Sequence, residues 1–262
     1  MLIEHIPLTD DSQVTLTCYL QEPSCEMKSV ARKPAVLILP GGGYFFVSDR
    51  EAEPIALAYA AQGFQAFVLN YSTGEQALGC KPFEEASKAL GLIRDNASHW
   101  NVIDNQVIAV GFSAGGHLAA WVGLKGQNKP DGMILGYPAV ELIVTQTAVQ
   151  PHNQVVEVLL GPGYQLADAA TLNVTQYVTD QAIPLFCWTT AADTLTRPTP
   201  ILDFVRAYAQ AGRPCEFHMF QEGEHGLSLA THVTANGRRQ AENQDVAQWF
   251  ALSVAWIRRN FP

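Results

Sequence analysis

The stretch VIAVGFSAGGHLAAW, residues 107–121, reads as a strand, a tight turn and a helix. Val107 to Val110 form a short apolar run, mostly β-branched and without polar alternation, as expected of a strand covered on both faces in a parallel sheet. Gly111-Phe112-Ser113-Ala114-Gly115 then fits G-x-S-x-G, in which a serine on a strained strand-to-helix turn has its hydroxyl raised above the sheet edge. Strand and helix nearly touch at such a turn, so its neighbours must be small, and Gly111, Ala114, Gly115 and Gly116 are. Three fixed positions also recur by chance. The weight therefore falls on context, a buried strand directly before the motif and a helix rich in small residues, 114–124, directly after it.

The whole chain has 262 residues, of which 48% are apolar and 16% charged, enough apolar content for one sizeable core and too little charge for disorder. Nothing resembles a linker, so residues 1–262 are read as a single domain. The net charge of −9 argues against nucleic acid and anionic membrane surfaces as partners. Cys18, Cys25, Cys80, Cys187 and Cys215 are odd in number and scattered, without a C-x-x-C pair, which suits a reducing compartment. The N-terminus lacks a basic segment followed by an apolar one, and no run approaches a membrane span. A soluble cytoplasmic protein with a small-molecule partner is expected. A homo-oligomer is allowed but not specified.

Residues 2–6 and 14–20 read as an antiparallel edge pair around the polar turn Thr9-Asp10-Asp11-Ser12. Residues 35–39, AVLIL, form a buried strand that runs into Pro40-Gly41-Gly42-Gly43-Tyr44. A helix over 53–62, opened near Pro54 and closed by Gly63, precedes a strand over 65–70. An amphipathic helix over 82–96 follows, with Phe83, Ala86, Leu90 and Ile93 on one face. Asp104 and Asn105 turn the chain into the 107–110 strand. Beyond the serine helix come a strand over 132–136, ended by Tyr137-Pro138, and the irregular stretch 139–180, with one helix near 152–160 stopped by Gly161-Pro162-Gly163. Strands over 183–189 and 214–220 flank a helix over 200–211. A helix over 241–260 closes the chain, with Val246, Trp249, Phe250, Val254 and Ile257 facing inward. Alternating strands and helices predict an α/β fold, a mostly parallel sheet with helices on both faces.

A serine hydroxyl attacks a carbonyl at neutral pH only if a histidine takes its proton and a carboxylate fixes that histidine's tautomer. In this strand-turn-helix setting the acid and then the histidine follow the serine in the chain. His225 sits just past the last strand in Glu222-Gly223-Glu224-His225-Gly226, a polar loop able to reach the nucleophile. His218 lies inside strand residues, His232 seven residues beyond His225 in an expected helix, and His117 one turn into the serine helix, where a structural role is expected. Asp193 follows the strand PLFCWTT by three residues; Asp180 precedes that strand and Asp203 lies a helical turn too late. Glu222 and Glu224 flank the histidine and are expected to face solvent. The glycine triplet lacks the lysine of a phosphate loop. It suits an oxyanion loop, because glycine brings backbone N–H groups close to a developing negative charge. Gly42 and Gly43, with the N–H of Ala114, are the expected donors, and Tyr44, Phe45 and Tyr137 are candidate pocket walls or core aromatics. No metal or organic cofactor is required.

Together PGGGY at 40–44, GFSAGGHLAA at 111–120, AADTLTRP at 191–198 and GEHG at 223–226 resemble the α/β-hydrolase fold, specifically bacterial esterases akin to hormone-sensitive lipase and the acetyl-xylan and feruloyl esterase (BD-FAE-like) group. The resemblance spans position 35 to the C-terminus. It implies Ser113, Asp193 and His225 as a triad and Gly42, Gly43 and Ala114 as an oxyanion hole. Two departures stand out. Pro40 replaces a histidine common in such proteins, and Asn70-Tyr71-Ser72 replaces Asn-Tyr-Arg, removing a buried cation. Only residues 1–34 precede the glycine-loop strand, so no large cap domain is expected and a more open site for short acyl chains is implied. The expected activity is a serine carboxylesterase acting on short-acyl esters of small alcohols or sugars. An amide-cleaving enzyme of the same fold, such as an arylformamidase or small peptidase, would use the same groups, and a non-catalytic binding member of the fold would usually lose one of them.

Overall fold

Both faces of the central strands are apolar because each face feeds its own core. In the computed structural model, which describes residues 1–9, 13–142 and 153–262, the chain opens with β1 (Leu2–Pro7), β2 (Thr15–Leu20) and β3 (Lys33–Leu39). It continues through α1 (Glu53–Ala61), β4 (Gln65–Asn70), α2 (Lys81–Asp95), β5 (Val102–Phe112), α3 (Ser113–Lys125) and β6 (Gly132–Gly136). Then come α4 (Gln154–Leu160), α5 (Leu166–Ala170), β7 (Leu185–Thr190), α6 (Pro198–Gln210), β8 (Cys215–Phe220), α7 (His232–Ala235) and α8 (Gln244–Asn260). The strands form one sheet in the order β1-β2-β4-β3-β5-β6-β7-β8. The β1–β2 and β2–β4 pairs are antiparallel and the others parallel. This is the expected α/β-hydrolase fold.

Strand alternation divides the core. Leu37, Leu39, Ala109, Leu135 and Cys187 point toward the layer of α2, α3 and α6, where Phe83, Leu118 and Phe204 meet them. Val36, Ile38, Val110, Ile134 and Trp188 point the other way, toward Ile55 and Tyr59 of α1 and Trp249 and Ile257 of α8. With apolar partners on both sides, no strand position in the middle of the sheet needs a polar residue. A fully buried Leu or Ile stabilises by about 1.5–3 kcal/mol, so the sheet centre holds the scaffold of the site rigid.

The expected elements are present, and the differences have local causes. β5 begins at Val102 rather than Val107: between the pairs Lys33↔Val102 and Ala35↔Val107, two steps along β3 match five along β5. Asp104 and Asn105 thus lie in a bulge within the strand instead of in a turn before it. α8 begins at Gln244 because the Asn243 side chain accepts from the N–H groups of Asp245 and Val246, both at 3.1 Å. Asn153 caps α4 in the same way, accepting from Val155 N at 3.0 Å. The expected start of that helix, His152, and residues 10–12 of the first turn lie outside the described residues. The irregular stretch also carries α5, which its sequence did not announce. Phe250, expected to face inward, is only partly buried against the Tyr59 ring, 4.9 Å away. Among the described residues, no helix is long and apolar enough to cross a membrane.

Candidate active site

Ser113 is the first residue of α3 and has φ 52°, a left-handed conformation costly for a residue with a Cβ. Two close approaches hold it there. A Cβ on Gly115 would lie 2.0 Å from Leu39 O, and one on Gly111 would lie 2.2 Å from Gly115 O. Backbone therefore packs on backbone where β3, β5 and α3 meet, and the serine is delivered at the end of β5. Ala114 N–H lies in the first turn of α3, where no intrahelical acceptor exists, so it is free to serve the space over Ser113.

Three loops at the same sheet end bring the other groups. His225 Nε2 is 2.9 Å from Ser113 Oγ, and His225 Nδ1 is 2.7 Å from Asp193 Oδ2. A carboxylate only accepts, so Nδ1 carries the proton and Nε2 accepts from the serine hydroxyl. The Asp193 side chain is 1% exposed and that of His225 17%. Asp193 Oδ1 accepts from the N–H groups of Leu195 at 2.8 Å and Thr196 at 3.0 Å, while Oδ2 also accepts from Thr196 Oγ1 at 2.8 Å. Burial alone would push this carboxyl up, but the His225 hydrogen bond and charge, together with those donors, outweigh it and hold the pKa below the ordinary value. Asp193 is therefore ionised at neutral pH.

The glycine loop follows β3. Gly42 has φ 128°, and a Cβ there would lie 2.0 Å from Phe46 O, so only glycine fits. Phe45 N and Phe46 N bond back to Gly42 O at 3.0 and 3.4 Å, closing a tight turn. Gly42, Gly43, Ala114, Ser113 and His225 all line one cleft of about 930 Å³. Its apolar walls include Phe45, Phe46, Leu142 and Leu195; Arg50, Arg197 and Asp203 supply polar ones.

Of the three aromatic residues considered for the walls, Phe45 alone lines the cleft. Tyr44 and Tyr137 are core residues, 0% and 1% exposed. Tyr44 OH is 2.8 Å from His117 Nδ1, and His117 Nε2 is 2.7 Å from Leu172 O. Since a carbonyl only accepts, Nε2 donates and Tyr44 OH donates to Nδ1. His117 thus has the structural role expected of it. Tyr137 packs edge-on against the His225 ring at 4.9 Å and donates its hydroxyl proton to Glu51 Oε1 at 2.6 Å. Glu224, expected to face solvent, has a side chain 39% exposed and pairs with Arg238 at the surface. His218 bonds Glu216 within β8 at 3.0 Å.

Two residues of this site carry no motif. Thr196 could have been found from its spacing, because a hydroxyl three residues after an aspartate commonly closes a side-chain-to-backbone turn. Glu51 could not: in Asp49-Arg50-Glu51-Ala52-Glu53 it reads as one more surface charge. It is 3% exposed and accepts from Gly41 N at 2.7 Å as well as from Tyr137 OH. Burial raises its pKa, against the opposing pull of Tyr137, the Gly41 N–H, His225 and Arg50. The missing arginine of the Asn-Tyr-Arg pattern also has a structural answer. Glu85, itself buried, is met by Ser72 N at 2.8 Å and Ser72 Oγ at 2.5 Å, and Tyr71 OH donates to Pro40 O at 2.5 Å. Among the described residues, no group of three or more His, Cys, Asp or Glu is gathered as for a metal ion.

A mostly parallel sheet with a serine at a strand-to-helix turn, a histidine on the loop after the last strand and an acid after the one before it defines an α/β hydrolase. The chain belongs to the BD-FAE family, whose model matches residues 24–200. It is similar over 99% of its length to the α/β-hydrolase enzyme MGS-M1 from a Medee basin deep-sea metagenome, 38% identical with a TM-score of 0.84 and 97% of that chain covered. An acetyl ester-xyloside bifunctional hydrolase from Caldicellulosiruptor lactoaceticus matches 98% of the chain and 96% of its own, 28% identical with a TM-score of 0.80. The acetylxylan esterase of Xylanibacter ruminicola is 28% identical over 255 residues, 92% of this chain and 49% of that protein. The chain thus spans about half or less of the length of the curated relatives it matches.

Proposed function

We propose that this chain is a serine carboxylesterase for short-acyl esters of small alcohols or sugars. The observation that carries the reading is the unbroken hydrogen-bond relay Ser113 Oγ, His225 and Asp193, at 2.9 and 2.7 Å, opening onto a cleft that Gly42 and Gly43 also line. Ser113 attacks the ester carbonyl while His225 takes the hydroxyl proton, and Asp193 stabilises the imidazolium. The N–H groups of Gly42, Gly43 and Ala114 meet the negative charge that develops on the carbonyl oxygen. His225 returns the proton to the departing alcohol, and a water, activated in turn by His225, frees the acid. Ester preference and the carbohydrate alcohol are drawn from what the similar proteins are said to act on, an acetylated xylan and an acetyl ester-xyloside. The unpaired thiols Cys18, Cys25, Cys80, Cys187 and Cys215 support a reducing, cytoplasmic setting.

The test is an acyl-length series of nitrophenyl esters on wild type and Ser113→Ala, with formyl and peptidyl amides alongside. Turnover should be highest for acetyl and fall with chain length, and Ser113→Ala should lose it together with labelling by a fluorophosphonate. Retained turnover in Ser113→Ala removes the serine mechanism; faster cleavage of the amides removes the ester assignment; no turnover or labelling in wild type removes catalysis altogether.

A further inference from the structure

Glu51 is a buried carboxylate that the proposed chemistry leaves unused, yet it is bonded to the loops on which that chemistry depends. Its Oε2 takes the N–H of Gly41, the first residue of the glycine loop, and its Oε1 takes the Tyr137 hydroxyl. The Tyr137 oxygen in turn accepts from Ser228 N at 3.0 Å, three residues beyond His225. Ser228 Oγ donates to Arg50 O at 2.5 Å, and Arg50 Nη1 donates to Gly226 O at 2.9 Å. The short 3-10 helix Asp49–Glu51 therefore bonds to the glycine loop on one side and the histidine loop on the other. The packing leaves no slack: a Cβ on Gly41 would lie 2.7 Å from Glu51 Oε2 and 2.9 Å from Ser113 Cβ.

Resting on the serine-esterase reading, we propose that Glu51 is a positioning residue for the oxyanion donors, fixing the glycine loop by Gly41 N–H so that the amides of Gly42 and Gly43 face the cleft over Ser113. The carboxylate form matters because both of its partners donate. A glutamine keeps the Gly41 N–H only by turning its NH₂ toward the Tyr137 oxygen, which leaves the tyrosine proton without its acceptor, and keeps the tyrosine bond only by opposing NH₂ to Gly41 N–H; either way a charge-assisted bond is lost and the loop shifts. Such a shift weakens charge stabilisation in the transition state more than binding of the neutral ester, so it belongs in kcat rather than KM.

The experiment measures nitrophenyl acetate kinetics on wild type, Glu51→Gln, Tyr137→Phe and the double variant, each normalised to sites titrated with a fluorophosphonate. Normalisation removes the effect of a partly unfolded sample, which is all that a merely structural role would produce. Glu51→Gln should lower kcat per titrated site on the order of ten- to a hundredfold, with KM within about threefold, since a misaimed donor costs less than a missing one. Tyr137→Phe should lose about three- to tenfold in the same parameter, and the double variant should be no worse than Glu51→Gln, because the two act as one unit. A kcat per site within about twofold of wild type in Glu51→Gln overturns the proposal, as does an effect confined to KM; should Glu51→Gln not fold, the same criteria applied to Tyr137→Phe decide it. An active wild type with an inactive Ser113→Ala alongside an unaffected Glu51→Gln rejects only the role of Glu51. An inactive wild type, or an active Ser113→Ala, rejects the esterase reading and this proposal with it.

Discussion

Acidifying the protein should weaken it through His117, a residue that never meets substrate. Its ring, carried by α3, is fully buried and ties Tyr44 of the glycine loop to Leu172, and burial lowers its pKa from 6.5 to about 4 against the pull of the Leu172 carbonyl. The folded value lies below the unfolded one, so the contribution of the neutral ring is fully present above about pH 6.5 and is lost as pH falls through that window toward 4. Between about pH 7 and about pH 5 the loss amounts to roughly 2 kcal/mol, because a tenfold difference in proton affinity between the folded and unfolded chain is worth about 1.4 kcal/mol. The assay is urea unfolding of wild type and His117→Gln at both pH values. The variant starts lower at neutral pH, by about 1–3 kcal/mol, because it disturbs two buried hydrogen bonds. It should lose about 2 kcal/mol less on acidification, while every carboxylate common to the two proteins cancels from the difference. Parallel losses in wild type and variant would contradict this account, because they would mean that the buried imidazole takes up a proton without opening the fold.

The remaining expectations concern the acid, its hydroxyl neighbour, the elbow and the proposed chemistry. Asp193→Asn should lower kcat on the order of 10³- to 10⁴-fold with KM little changed, because an amide no longer fixes the Nδ1–H tautomer of His225; a loss below about tenfold in steady-state kinetics would count against this acid. Thr196→Val should cost roughly 1.5–3 kcal/mol near neutral pH, read by urea unfolding, since it removes a donor to a buried charge. Asp193's pKa is depressed, so that deficit belongs to its ionised form and should shrink as pH falls through the folded value; a deficit independent of pH speaks against it. Gly115→Ala should destabilise by about 3 kcal/mol or more, because its Cβ would sit 2.0 Å from Leu39 O and 2.3 Å from Pro40 O; an unchanged melting temperature would contradict the backbone contact. Turnover should be unchanged in EDTA, since in the proposed mechanism backbone N–H groups meet the carbonyl's charge, and a loss that zinc restores would argue for a different mechanism.

The strand-turn-helix at 107–121, the sheet class and the loops that carry Ser113, Asp193 and His225 were all legible in the order of the residues. These features are local: apolar runs without alternation are enough to specify strands covered on both faces, and small residues at 111, 114, 115 and 116 are enough to specify the elbow. Where a competing local signal existed, tertiary pairing won. Asp104 and Asn105, turn formers in isolation, were taken into β5 because Lys33 already pairs with Val102. Asn243, which no periodicity marks, set the start of α8. It took the packed fold to turn Tyr44 and Tyr137 toward the core and Phe45 toward the cleft, because a side chain's direction after a glycine turn depends on what packs behind it. The burial of Glu51 belongs to the fold as well. A carboxylate in an acidic run carries no sign of its surroundings until two distant donors, Gly41 N–H and the Tyr137 hydroxyl, converge on it and offset the cost of taking its charge out of water.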